Sequence, residues 1–260
     1  MNDGFDFDFD LDELAPADAA SEEAVERFWS GDLTALSQHH TTPNGSHSFV
    51  VAHDRSVTWG APGEPQVMAI AVARDLTRFT FTLETSYHAT MSFAQNWLVE
   101  RGCPPEKIAK VHGGFAKPAD DLTAWVERQI RESGGRYEVL DNHTSDSDPN
   151  ESWTLTRDSR AAEAPIRVFH EEWDQDADTY TMREGAFADV DVARSWLDDR
   201  SSPLPEPPEY RDDNGAVVRA RVARIALARS ASVSAPKASL DSPRTPPAGP
   251  VQRPVQGRLL

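Results

Sequence analysis

Along Arg78–Thr85 apolar and polar residues alternate, with Phe79, Phe81 and Leu83 on one side, and this period of two predicts a half-buried strand. Thr90 then caps a helical set of Met91, Ala94, Trp97 and Leu98. It runs to Arg101, where Gly102-Cys103-Pro104-Pro105 stops it. The same order returns in the second half of the chain. Tyr180 and Met182 alternate, Asp189 caps, and Val190, Ala193, Trp196 and Leu197 form a stripe ending at Arg200. Laid without gaps, Thr80–Arg101 and Thr179–Arg200 share Thr80/Thr179, Thr82/Thr181, Ala89/Ala188, Ala94/Ala193, Trp97/Trp196, Leu98/Leu197 and Arg101/Arg200. A repeated unit at fixed spacing predicts a duplicated architecture.

The remaining elements follow from the same periods. Residues 21–36 read as a helix opened by Ser21 with acids in its first turn, and His39–Ser46 reads as a polar loop. Strands are expected at Ser48–His53 (continuing after a turn to Trp59) and at Val67–Arg74. Glu106–Lys117 is a connector. In the second half a helix over Ala119–Ser133 ends at Gly134-Gly135. Strands follow at Arg136–Asn142, Ser152–Arg157, Ile166–Trp173 and Thr179–Glu184, then a helix over Asp189–Arg200. Trp29, Trp59 and Trp97 are matched in this reading to Trp125, Trp153 and Trp196. The expected fold is α+β: two duplicated modules of antiparallel sheet with helices packed on one face of each, at residues 20–103 and 119–203, flanked by disordered N- and C-terminal arms.

Composition sharpens the picture at the two ends. The hydrophobic content of 38% is low, so part of the chain is expected not to pack. Residues 1–19 alternate Phe5, Phe7, Phe9 and Leu11 with Asp6, Asp8, Asp10 and Asp12, a row of rings opposite a row of carboxylates. Such a segment has nothing of its own to bury against, and it is expected to order on a partner by strand addition or in a basic groove. Residues 204–213 form a proline-rich linker, 214–230 a basic amphipathic helix carrying Arg219, Arg221, Arg224 and Arg229, and 231–260 a disordered tail. The net charge is −17, but residues 214–260 hold eight basic groups against Asp241, a net of +7 that leaves −24 on residues 1–213. So acidic a body repels phosphate backbones, so any polyanion is expected at the tail.

Searches for chemistry return fragments. His112-Gly113-Gly114-Phe115 resembles an oxyanion-hole loop, but no G-x-S-x-G elbow accompanies it. Asp146-x-Asp148-x-Asn150 and Asp174-x-Asp176-x-Asp178 begin like calcium loops and lack both the turn glycine and the closing carboxylate. His39, His40, His47 and His53 do not have the spacing of zinc ligands. Cys103 follows a helix C-terminus, where a thiolate is disfavoured, and as the single cysteine it excludes an intrachain disulfide. His88 and Phe187 are equivalent in the repeat, just before the helix caps, and mark a loop where the modules differ.

No catalytic residue, metal or cofactor is expected. There is neither a leader-like segment nor a run of membrane-spanning length, and the arginine-rich composition points to a cytoplasmic bacterial protein. The functional expectation is a non-enzymatic binding or adaptor protein that meets a protein partner through Phe5, Phe7, Phe9 and Leu11 or a module surface. The alternative is a nucleic-acid-associated regulator contacting phosphates through Arg219, Arg221, Arg224 and Arg229.

Overall fold

A computed structural model of the chain describes residues 7, 9–41, 45–57, 63–112 and 115–211. Phe5 and the four tail arginines lie outside the described residues.

The first module opens with the two-residue strand β1 (Ala15–Pro16) and helix α1 (Ala19–Arg27). Strands β2 (Leu33–His40), β3 (His47–Asp54), β4 (Val67–Asp75) and β5 (Thr80–His88) follow, then helix α2 (Met91–Glu100). A short helix α3 (Pro105–Ile108) leads to the second module. That module repeats the order as β6 (Lys117–Pro118), α4 (Asp121–Arg131), β7 (Tyr137–Ser145), β8 (Glu151–Asp158), β9 (Ile166–Asp174), β10 (Thr179–Phe187) and α5 (Val190–Asp198). A last turn, α6 (Pro208–Arg211), ends the described chain. Each module has a five-stranded sheet, ordered β1-β5-β4-β3-β2 in sheet A and β6-β10-β9-β8-β7 in sheet B. Four strands of each sheet are antiparallel and the short edge strand is parallel, so the sheets are mixed.

The correspondence reaches individual hydrogen bonds. Asp18 accepts from the Ser21 N–H at the start of α1, and Asp120 from that of Thr123 at the start of α4. The Ser21 hydroxyl then accepts from the Leu83 N–H of β5, and the Thr123 hydroxyl from the Met182 N–H of β10. One hydroxyl thus ties each opening helix to its last strand. The β2–β3 ladder slips between Ala35 and Ser37, and the β7–β8 ladder between Val139 and Asp141. Left-handed residues sit at equivalent hairpin turns, Phe79 and Asp178. Because both caps satisfy a helix-terminal N–H, Asp18→Ala and Asp120→Ala are each expected to cost about 1 kcal/mol in a denaturant titration. Asp120 should cost more of the two, since it also pairs with Arg183.

Three expectations are corrected. The helices lie on opposite faces of each sheet. Val50, Ala52, Met68, Ile70, Phe81 and Leu83 pack under α1, whereas Phe49, Val51, Ala69 and Ala71 pack under α2. Burying both faces is what the unbroken run Val67–Val72 requires. Secondly, α1 ends at Arg27, and residues 33–40 form β2 instead of continuing a helix and a loop. Thirdly, the tryptophan match holds at Trp97/Trp196 and fails at Trp29/Trp125, while Trp59 lies outside the described residues. Trp125 occupies the place of Glu23, and Trp153 that of Phe49.

The layers stack as α1, sheet A, α2 with α4, sheet B, and α5. Helix α2 is shared between the modules: Ala94 and Leu98 pack on sheet A, while Phe93 enters the cluster of Val126, Ile130, Phe169 and Met182 under α4. Asn96 completes the junction, accepting from the Gly134 N–H at 3.1 Å. Among the described residues, no helix is long and apolar enough to cross a membrane.

Candidate functional site

The α1 face of sheet A is wider than α1, which lies along β5. Val50, Met68, Ile70 and Val72 would be left bare beside it, and the N-terminal arm covers them. Phe9 is only 6% exposed in this cluster, with Phe7, Leu11, Leu14 and Phe28 packed around it. The rings of Phe7, Phe9 and Phe28 form a triangle with centroids 5.8–6.5 Å apart in tilted and edge-on geometry. Asp10 and Asp12 on the arm stay in solvent. The alternation therefore does orient rings inward and carboxylates outward. It does so without strand pairing, through a left-handed Asp10.

The arm is held by its backbone as well. Arg74 donates from Nε to the Phe9 carbonyl at 2.7 Å, from Nη1 to the Gly45 carbonyl at 2.6 Å and from Nη2 to the Ser48 hydroxyl at 2.9 Å. One guanidinium thus joins the arm to the β2–β3 turn. Ala15 and Ala17 then donate to the carbonyls of Phe79 and Phe81 as the chain enters β1. Phe7, Phe9 and Leu11, expected to meet a partner, are together at one site, and in this state the site is filled by the chain itself. Arg74 was not visible as part of it. Its sequence signal is a cation closing the apolar run of β4.

A cavity of about 240 Å³ lies at the junction of the modules, lined by Met91, Gln95, Phe115, Glu127, Arg131 and Tyr180 among others. Glu127 and Arg131 stand one turn apart on α4. Arg131 donates to the Gln95 side chain at 2.9 Å, and the Tyr180 phenol donates to Glu127. Burial raises the Glu127 carboxyl despite that hydrogen bond. Behind them Glu171 accepts a single hydrogen bond, from the Trp173 indole at 2.9 Å. Burial first, and then the Glu127 charge, push its pKa up to about 8.

The paired arginines Arg101 and Arg200 stack near their tryptophans, Arg101 lying 3.3 Å above the Trp97 ring and Arg200 5.7 Å from that of Trp196. His88 lies against Trp97 and Phe187 against Trp196. Burial, with Arg101 adding to it, lowers the His88 pKa to about 4. Arg200 also meets Glu151, whose other partner is His170 at 3.0 Å. Of the clustered histidines, His39 and His47 stack on Phe49, His40 bonds Ser48, and His53 bonds Gln66. Asp174 caps its own turn at Ala177, and burial raises the thiol of Cys103 to about 12. Among the described residues, no group of three or more His, Cys, Asp or Glu is arranged to hold a metal ion. Comparison of the chain with protein families, with characterised proteins and with solved structures finds no match.

Proposed function

We propose that this chain is a binding or adaptor protein whose first module accepts short aromatic–acidic segments. The observation carrying this is the seating of Phe7 and Phe9 on sheet A, with the Phe9 carbonyl gripped by Arg74. The groove supplies an apolar floor for alternate rings and a cation for the backbone between them. Acidic side chains of the bound segment remain in water. That is the division of labour by which grooves recognise alternating peptides: main-chain contacts hold, and pockets for alternate side chains select. The arm is then a resident ligand that a partner of similar pattern displaces.

The test is fluorescence polarisation with a labelled peptide of residues 1–14 against the full-length chain and its Phe7→Ala/Phe9→Ala variant. Saturable binding is expected to the variant, whose groove is emptied, and at least tenfold weaker binding to the parent chain, where the arm competes at high local concentration. A peptide carrying the same two alanines should not bind. Equal affinity of parent and variant, or no binding to either, would reject the reading.

A further inference from the structure

We propose that the second module carries a separate binding site, selective for a glutamate followed by a tyrosine, which residues 203–211 occupy in cis. Its centre is Arg167 on β9, a side chain with no exposed surface. Around it stand Asp158 at 3.5 Å and Glu184 at 3.7 Å, and Arg136 binds Asp158 through two hydrogen bonds of 2.9 and 2.6 Å. Burial opposes charge on Asp158, yet the bonds from Arg136 outweigh it and hold that carboxyl below its ordinary range. Neither neighbour is within hydrogen-bond reach of Arg167. Among the described residues its one hydrogen-bonded acceptor is the Glu209 carboxylate, from α6, while Nε and Nη1 have no hydrogen-bond partner there. The next residue completes the fit: the Tyr210 phenol donates to Glu184, and its ring meets Trp125 edge-on at 5.5 Å.

Three features mark this as a recognition site. The first is that the fold does not need it. At the equivalent positions of the first module Arg167 is replaced by Met68, Glu184 by Thr85 and Arg136 by Asp32, and the same sheet and helix assemble on a mainly apolar floor. Buried charge is a weak source of stability compared with such a floor, so its presence in one copy alone calls for another purpose. The second is charge balance. Arg136 and Arg167 face Asp158 and Glu184, two basic groups against two acidic ones, so the pocket keeps equal numbers of each when Glu209 leaves. The third is the segment that brings Glu209 and Tyr210. Pro203-Leu204-Pro205-Glu206-Pro207-Pro208 is proline-rich, pre-extended and cheap to order, as exchangeable ligands are. Several contacts seat it, with Pro207 buried among them. The Ala186 N–H donates to the Pro205 carbonyl at 2.9 Å, the Trp196 indole to the Ser202 carbonyl at 3.0 Å, and Leu204 fills the notch that Gly185 leaves open. The expected linker is thus a strap across sheet B, and a partner carrying Glu-Tyr in an extended proline-rich segment would compete for its place.

The probe is a labelled nonapeptide of residues 203–211 measured by fluorescence polarisation against full-length protein. Saturable binding is expected to the Glu209→Ala/Tyr210→Ala variant, and at least tenfold weaker binding to the parent chain, where the strap is seated. Changing the peptide's second glutamate, Glu209, to glutamine while Glu206 is kept, or its tyrosine to phenylalanine, should each weaken binding about tenfold. These peptide changes leave the protein intact, so the result does not depend on how an Arg167 variant folds. Phe7→Ala/Phe9→Ala should leave the affinity unchanged, which separates this site from the groove of the first module. No saturable binding to the strap variant, or indifference to both peptide changes, would overturn the proposal.

Discussion

Replacing Arg167 with methionine is expected to destabilise the protein by roughly 3–5 kcal/mol at neutral pH, the range for removing one partner of a buried ion pair. The substitution strands Glu184, which is 2% exposed and whose carboxyl burial already raises in the presence of the cation. Without Arg167 it must either hold a buried charge beside Asp158 or take up a proton, and both cost free energy. The double change Arg167→Met/Glu184→Thr installs the pair found at Met68 and Thr85, and it should recover more than half of the loss. Urea midpoints with unchanged m-values would read this directly. A single variant within 1 kcal/mol of the parent, or a double variant no better than the single, would show that the network is not energetically coupled. The same double variant should lose the Glu-Tyr peptide while remaining folded, which separates the stability of the second module from its proposed recognition.

How much of this was readable beforehand depends on whether the information was local. The β5–α2 and β10–α5 units were, because strand alternation, cap and helical stripe all fall within a single window of sequence. Strand β2 was missed because Ser37-Gln38-His39-His40 is polar enough to pass for a loop. Its counterpart β7 was recognised, so transferring the second copy onto the first would have placed it. The two-faced burial of sheet A was also present in the six apolar residues Val67–Val72, which a one-sided sheet would have interrupted. Phe9 showed its inward parity but not the surface that receives it. Arg167 showed a cation between Ile166 and Val168 and nothing more. Its neighbours Arg136, Asp158, Glu184 and Glu209 come from three other strands or strand ends and the strap, and periodicity within a strand is silent about which residues lie across it. The same holds for the cavity at the junction, where α2, α4 and β10 meet only through the packing of one module on the other.

Glu171→Gln is expected to change the pH dependence of stability. Glu171 is enclosed on β9, with one hydrogen bond, and its pKa stands at about 8 against roughly 4.3 for a solvated glutamate. Between those values the folded chain holds a proton that the unfolded chain has released. Stability must therefore fall as pH rises from about 4.5 towards 8 and then level off. Glu127 and Glu184, also raised by burial, act in the same direction. Asp54, Asp120, Glu151 and Asp158 are held low by their partners and act oppositely, losing their contribution only in acid. His88 and His40, both lowered by burial, also gain stability as pH rises to about 6.5, so the fall assigned to Glu171 stands clear of them above that pH. Glutamine keeps the shape and cannot ionise, so Glu171→Gln should match the parent to within about 1 kcal/mol at pH 5. At pH 8.5 it should exceed the parent by roughly 1–3 kcal/mol, discounting the full linkage value for relaxation around the site. Urea titrations at half-unit steps between the two would decide it: parallel curves for variant and parent would place the ionisation elsewhere, and a flattened curve for the variant would assign it to this carboxyl.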